Sequence, residues 1–346
     1  MTDLASFPRV RLAHLPTPLE PMDRVSKLLG GPRLWIKRDD CTGVSTGGNK
    51  VRKLEFVLAD ALAKGTDTVV TAGAWQSNHS RQTAAAAARL GLKCHLMLSN
   101  LVGFCERDYR QNGNILLDQL HDATIHELGT PANGEDVLVF LNSAVDKCVQ
   151  RLKEQGARPY AIPVGASNPV GALGYAECAR EIIAQARDLG VKFDAIVHRS
   201  GSAGTQAGLV AGFAVSDVQI PVIGIGGGKA PKDLEGMVFR MATEAATLLG
   251  KPTAVKRSAV VAMDPNPIQY GHLTREVADV IRLFARTEGI LVDPAYTGPA
   301  LVGLLELIRQ GKFKSDSNVI FIHTGGIAAL FGYLDFLGEA SNKGRP

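Results

Sequence analysis

The chain lacks the marks of a disulfide scaffold, a membrane protein or a nucleic-acid binder. Its five cysteines, Cys41, Cys94, Cys105, Cys148 and Cys178, are odd in number and include no C-x-x-C pair, which disfavours both a disulfide framework and a zinc site. No uninterrupted apolar run approaches the roughly 20 residues of a membrane span, and the opening residues show no basic-then-apolar leader. A net charge of +4 over 346 residues is modest, and Lys and Arg alternate with acids instead of clustering, so no nucleic-acid footprint is expected. There is no internal repeat, and only residues 338–346 read as disordered. These absences predict a soluble, cytoplasmic globular protein with no metal and no membrane or nucleic-acid partner. At 45% hydrophobic and 21% charged residues, its length suits about two packed domains.

What is present begins with Ser45-Thr-Gly-Gly-Asn-Lys-Val-Arg-Lys-Leu-Glu55, where a flexible Gly pair delivers an Asn and a Lys to a helix start. A lysine amine attacks an aldehyde only when part of it is neutral, and a helix N-terminus disfavours the ammonium form. Lys50 is therefore a candidate Schiff-base lysine; an ordinary turn before a solvated lysine is the other reading of the same residues. Further on, the apolar run Ala195-Ile-Val leads into His198-Arg-Ser-Gly-Ser-Ala-Gly-Thr-Gln-Ala-Gly208 and a helix-compatible stretch. Strand, Gly-rich turn and helix together aim backbone N–H groups at one point, a phosphate cradle. Gly201, Ser202, Ala203 and Gly204 permit close approach, while Ser202 and Thr205 add hydroxyl donors. Neither a P-loop ending nor a clean G-x-G-x-x-G is present, and a tight turn without a ligand stays open as an alternative.

Short apolar runs at 34–36, 68–72, 93–98, 195–197, 221–225 and 318–323 read as buried strands. They alternate with helical patterns at 53–64, 80–90, 174–189 and 275–287. This is the pattern of an α/β protein with a mostly parallel sheet. The only boundary cue in the residues is Gln155-Gly-Ala-Arg-Pro159. Gln76-Ser-Asn-His79 follows a strand and precedes an alanine-rich helix, so Ser77, Asn78 and His79 surround free N–H groups that suit a carboxylate; helix capping by Ser77 or Asn78 is compatible with the same placement.

Lys37-Arg-Asp-Asp40, Ala72-Gly-Ala-Trp-Gln-Ser-Asn-His79, Pro163 to Tyr175, Asp293-Pro-Ala-Tyr-Thr-Gly298 and His323-Thr-Gly-Gly326 complete an ordered set. With them the chain resembles, over nearly its whole length, the fold-type II pyridoxal-phosphate (PLP) enzymes. The branch is the one containing 1-aminocyclopropane-1-carboxylate (ACC) deaminase, D-cysteine desulfhydrase and L-cysteate sulfo-lyase. The resemblance implies a tryptophan synthase β-like α/β fold with two open, twisted, mostly parallel sheets flanked by helices. It implies a large PLP-binding domain of residues 1–51 and 161–346, a small domain of 52–160, a cleft between them and a homodimer.

The same resemblance implies that Lys50 carries the cofactor and acts as base, that residues Ser200 to Thr205 hold its phosphate, and that Asn78 bonds its phenolic oxygen. Ser77 and His79 would hold the substrate carboxylate, and Tyr296 and Tyr270 would lie close to the substrate. ACC deaminase has a carboxylate after the tyrosine of its Asp-Pro-x-Tyr segment, pairing with the pyridine nitrogen; here the residue is Thr297. A hydroxyl cannot stabilise a pyridinium in that way, which favours β-elimination over ring opening. The expected reaction is loss of a sulfur substituent to give pyruvate and ammonium. The leaning is towards L-cysteate, with D-cysteine as the alternative, because Arg199, His272 and Lys229 are basic residues near probable site loops that could hold a sulfonate. A surface ion pair is the plainer reading for Arg199. Outside this class, a dinucleotide oxidoreductase would explain the Gly-rich turns but leave Lys50 idle, and a non-catalytic PLP-binding protein would keep Lys50 without turnover.

Overall fold

A computed structural model describes residues 4–334 and Leu337; the tail expected to be disordered, 338–346, lies outside the described residues. The α/β expectation holds, as two separate sheets. The larger contains β1 (Leu19–Pro21), β2 (Arg33–Lys37), β7 (Ala195–Arg199), β8 (Val222–Ile225), β9 (Val260–Met263) and β10 (Asn318–Ile322), in the order β1-β2-β10-β7-β8-β9. Only the β1–β2 pairing is antiparallel. The smaller is all parallel, in the order β5-β4-β3-β6, from β3 (Thr68–Ala74), β4 (Lys93–Ser99), β5 (Thr124–Leu128) and β6 (Pro159–Ala161).

Helices cover both faces of each sheet because the strands bury both faces. On β10, Ile320 and Ile322 join Ile196 in a core shared with α7 (Pro169–Leu189), α8 (Gly204–Val215) and α9 (Pro231–Leu248), whereas Val319 and Phe321 join Val197 against α1 (Asp23–Leu29), α10 (Arg275–Glu288) and α11 (Thr297–Arg309). Successive residues point to opposite faces, so a continuous apolar run is required. In the smaller sheet, Val69 and Leu96 pack with α2 (Lys50–Ala63) and α3 (Asn78–Arg89), while Val70, Ala72 and Met97 pack under α6 (Val137–Glu154). Each fully buried side chain of this size contributes about 1.5–3 kcal/mol. The short helices α4 (Arg107–Gln111), α5 (Asn114–Leu120) and α12 (Ile327–Phe331) complete the set.

All six expected strands form, and three expected helices start earlier than their apolar periodicity suggests. Helix α7 begins at Pro169, where the Asn168 side chain accepts from Gly171 N at 2.7 Å and Pro occupies the first turn. Helix α2 begins at Lys50 and α3 at Asn78, so the motif residues are themselves first-turn residues. Strands β1 and β6 escape the pattern because each is three residues long and contains Pro. The Gln155–Pro159 cue is the turn from α6 into β6.

Helix α2, which carries the motif lysine, is anchored by a buried charge network. Arg52 donates to both oxygens of Asp39 and to both oxygens of Glu181 on α7, at 2.8–2.9 Å. Lys37 donates to Glu181 at 2.9 Å, and Tyr175 gives its hydroxyl proton to Asp39. Burial alone would raise the Asp39 carboxyl, but Arg52, Lys37 and the Tyr175 hydrogen bond hold it below its ordinary value.

Candidate active site

In parallel sheets the strand carboxyl ends converge on the amino ends of the following helices, where unpaired N–H groups collect. Here the ends of β7, β10 and β3 meet the starts of α8, α2 and α3 around a narrow cleft. Lys50, Asn78, Ser200, Thr205, Tyr296 and Thr324 are among its walls.

The Gly pair sets Lys50 by close approach. A Cβ on Gly325, in the loop after β10, would lie 2.7 Å from the Gly48 Cα, so the two loops touch backbone to backbone. Asn49 N then donates to Thr324 O at 3.0 Å, and Lys50 N to Gln82 Oε1 at 2.9 Å. The Lys50 amine donates only a long bond, 3.3 Å, to Asn49 Oδ1, and has no carboxylate partner among the described residues. Burial with no compensating anion draws its pKa down to about 8. Part of it is thus neutral near physiological pH.

One turn along α2, Lys53 is fully buried, and its amine donates to Ser167 Oγ at 3.1 Å. Burial and then the neighbouring Lys50 push its pKa well below 10.5. It too lacks a carboxylate among the described residues, and a buried ammonium without a counter-ion is unfavourable. A Cβ on Gly204 would stand 3.0 Å from that amine, which locates Lys53 beneath the start of α8. No side chain caps α8, and Ala203 before it has φ 67°. Ser200 Oγ is buried without a partner, Thr205 Oγ1 accepts from Asn49 Nδ2 at 3.0 Å, and a Cβ on Gly201 would meet only open space. Open amides, a free hydroxyl and a buried lysine amine with no counter-ion form a receptor for a small multivalent anion.

Opposite, Ser77 caps α3 by accepting from Ser80 N at 3.1 Å. Asn78 Oδ1 accepts from Asn114 Nδ2 at 2.9 Å, which leaves the Asn78 NH₂ as its donor. The Thr71 hydroxyl proton goes to Ile162 O, so His79 Nε2–H must be the donor in its 2.8 Å contact with Thr71. His79 Nδ1 is left as a buried lone pair without a partner, and burial followed by Lys50 and Lys53 keeps the ring well below its ordinary pKa. A neutral lone pair offers nothing to a carboxylate. The anion-holding role expected of His79 is therefore at odds with its hydrogen bonds.

The other expected residues divide. Ser200, Gly201, Ser202, Ala203, Thr205, Asn78, His79, Arg199 and Tyr296 line the cleft with Lys50. Ser77, Gly204 and Tyr270 stand just behind it, Tyr296 donating its hydroxyl to that of Tyr270 at 3.2 Å. Burial pushes the Tyr296 phenol up to about 12. Thr297 is not brought to the cleft: its hydroxyl donates to Asp293 Oδ1 and accepts from Asp293 N at 2.7 Å, closing the first turn of α11. His272 packs its ring against Phe104, 6.0 Å between centroids, and does not line the cleft. Lys229 is tied to Asp136 at 3.0 Å on the surface. Arg199 is buried, donates to the carbonyls of Gly226 and Ile268, and has no carboxylate at ion-pair distance among the described residues. The sequence motifs contained Asn49 and Thr324 without giving them a role, and missed Lys53 and Asn114; the i, i+3 spacing of Lys50 and Lys53 on one helix face was the available signal for Lys53.

The family model for pyridoxal-phosphate dependent enzymes matches residues 10–325. A D-cysteine desulfhydrase of Yersinia enterocolitica is 46% identical over 330 residues, covering 95% of this chain and 97% of the relative. One of Klebsiella pneumoniae is 42% identical over 333 residues, with 96% and 98% covered. Among solved structures, an ACC deaminase homologue superposes with a TM-score of 0.83 at 39% identity, covering 97% of each chain. An O-ureido-L-serine synthase shares the fold, with a TM-score of 0.66 at 18% identity and coverage of 97% and 95%.

Proposed function

The chain belongs to the pyridoxal-phosphate dependent enzymes, and from that premise we propose that it is a carbon–sulfur lyase acting on D-cysteine. In the overall reaction D-cysteine and water give pyruvate, hydrogen sulfide and ammonia. The observation that carries the reading is the pair of amines on α2, Lys50 and Lys53, both without a carboxylate partner among the described residues and both beside the uncapped start of α8. The name shared by relatives 42–46% identical over nearly the whole chain supports D-cysteine over the sequence-based leaning to L-cysteate.

The residues fit the cofactor. Lys53, the unpartnered Ser200 hydroxyl, Thr205 and the amides from Gly201 onward would hold the phosphate, and the Asn78 NH₂ would donate to the phenolic oxygen. When bound, the cofactor supplies an aldehyde for an amine and an electron-withdrawing ring that acidifies the α-proton of an attached amino acid. The neutral fraction of the Lys50 amine accepts that α-proton at Nζ, its downshifted pKa matching general-base work near neutral pH. The start of α3, capped by Ser77, faces the substrate carboxylate with its backbone amides. Tyr296, a neutral phenol, turns its one hydroxyl proton from Tyr270 towards the departing sulfur, and Tyr270 can then donate to it in return.

In this reading residues 52–160 form the small domain and the remainder the large one, and the enzyme is a cytoplasmic homodimer. Among the described residues no helix is long and apolar enough to cross a membrane. One observation favours a second substrate: Arg199 is a buried cleft cation without a carboxylate partner among the described residues, as a sulfonate-bearing L-cysteate would require. A pyruvate assay with D-cysteine, L-cysteine, L-cysteate, ACC and β-chloroalanine decides between them. D-cysteine should be the best natural substrate, and Lys50→Ala should abolish its turnover. Turnover of L-cysteate with none of D-cysteine moves the enzyme to the second reading. In that case Arg199→Ala should lower kcat/KM for L-cysteate by on the order of 10-fold while sparing β-chloroalanine. No pyruvate from any of them overturns the lyase assignment.

A further inference from the structure

A second cluster of chemically capable side chains lies on the smaller sheet, and none of its members lines the cleft. In the parallel register His126 of β5 stands beside Met97 of β4, so His95, two residues before Met97, presents its ring on the same face. The two imidazoles stack with centroids 5.2 Å apart and planes 14° from parallel, and His95 Nδ1 lies 2.9 Å from His126 Nε2. Helix α6 covers this face and brings Cys148, a free thiol buried among Val70, Met97 and Leu141, so that one ligand atom from each of the three residues lies within 4.8 Å of the others.

We propose that His95, His126 and Cys148 form a binding site for one thiophilic transition-metal ion, zinc(II) by preference. Two imidazole nitrogens and a sulfur are the borderline donor set that zinc takes. With Zn–N and Zn–S bonds near the usual lengths, tetrahedral ligand atoms stand roughly 3.4–3.6 Å apart. The nitrogens must therefore open by about half an ångström and the sulfur close by up to about one ångström, movements within rotamer adjustment. Burial first, and Arg151 among the neighbouring cations, hold both rings below their ordinary pKa and so favour neutral imidazoles; one N–H lies between the two facing nitrogens, and metal binding shifts that proton to the other nitrogen of its ring. A groove lined by Cys148, Met97, Glu135 and Arg151 leaves a route for a fourth, water ligand. The sequence shows no metal signature because the ligands come one each from β4, β5 and α6 and not from a local pair.

Arg151 supplies the discriminating test. Its guanidinium donates to Cys148 Sγ at 3.6 Å, so it competes with a metal for the sulfur and repels the ion. Cofactor-loaded enzyme, treated with chelator and desalted, is titrated with cobalt(II) as the probe and back-titrated with zinc(II). The expected result is one equivalent of cobalt, with a thiolate-to-cobalt charge-transfer band that zinc removes. Cys148→Ser should abolish that band, His95→Ala and His126→Ala should weaken binding at least about 10-fold, and Arg151→Ala should tighten it several-fold. Circular dichroism and the cofactor absorbance verify that each variant is folded. His126→Gln, which preserves volume and polarity, stands in for His126→Ala should that variant unfold. Failure of the parent enzyme to bind one equivalent, a charge-transfer band that persists in Cys148→Ser, or weaker binding by Arg151→Ala overturns the proposal.

Discussion

Lys53 is a buried amine whose charge state an anion in the cradle should change. Buried and without a carboxylate, its amine is held well below its ordinary pKa by burial first and by Lys50 next, which shifts it towards the neutral form while no anion is bound. A phosphate in contact restores the ammonium, since an opposite charge favours the charged form. Cofactor binding should therefore take up a proton, measured as a dependence of the calorimetric binding enthalpy on buffer ionisation. Lys53→Met should remove that uptake and weaken cofactor affinity by at least about 10-fold, or about 1.4 kcal/mol. Uptake that persists in the variant would assign the proton elsewhere.

At the scale of the element, the start of α11 shows how one side chain serves structure where chemistry was expected. Asp293 accepts from the amides of Ala295, Tyr296 and Thr297, and the Thr297 hydroxyl closes the ring back to Asp293. This box fixes the turn from which Tyr296 reaches the cleft. Thr297→Val should lower stability by about 1–2 kcal/mol, the loss of a buried hydrogen-bonding hydroxyl, in a urea melt. The absorbance maximum of the bound cofactor should stay where it is. A shifted maximum would mean that Thr297 does reach the cofactor ring.

The whole molecule depends on the charges that join α2 to α7. Arg52 and Asp39 are both fully buried, and removing one member of such a pair strands the other. Asp39→Asn should destabilise the protein by about 3–5 kcal/mol in urea and loosen cofactor binding, because Lys50 and Lys53 lie on the anchored helix. The pH sign follows from the depressed folded-state pKa. The contribution of Asp39 is full above its unfolded value of 3.8 and is lost as pH falls through the lower folded value. Parent stability should therefore decline below about pH 4 more steeply than that of Asp39→Asn, and parallel acid limbs would show that Asp39 is not the titrating group.

What the sequence determined by itself is what local chemistry dictates. Continuous apolar runs demand strands covered on both faces, Ser77 caps a helix, and the Gly-rich turn after β7 leads into a helix start. Residues close in sequence reveal such features because backbone geometry alone relates them. Tertiary structure decided which polar groups lack partners. Lys53 meets the cradle only because α2 passes beneath α8, Thr297 is withdrawn by Asp293, and His79 shows a lone pair only because Thr71 spends its proton on Ile162. A side chain's protonation and availability depend on every group packed around it, and those neighbours come from distant parts of the chain.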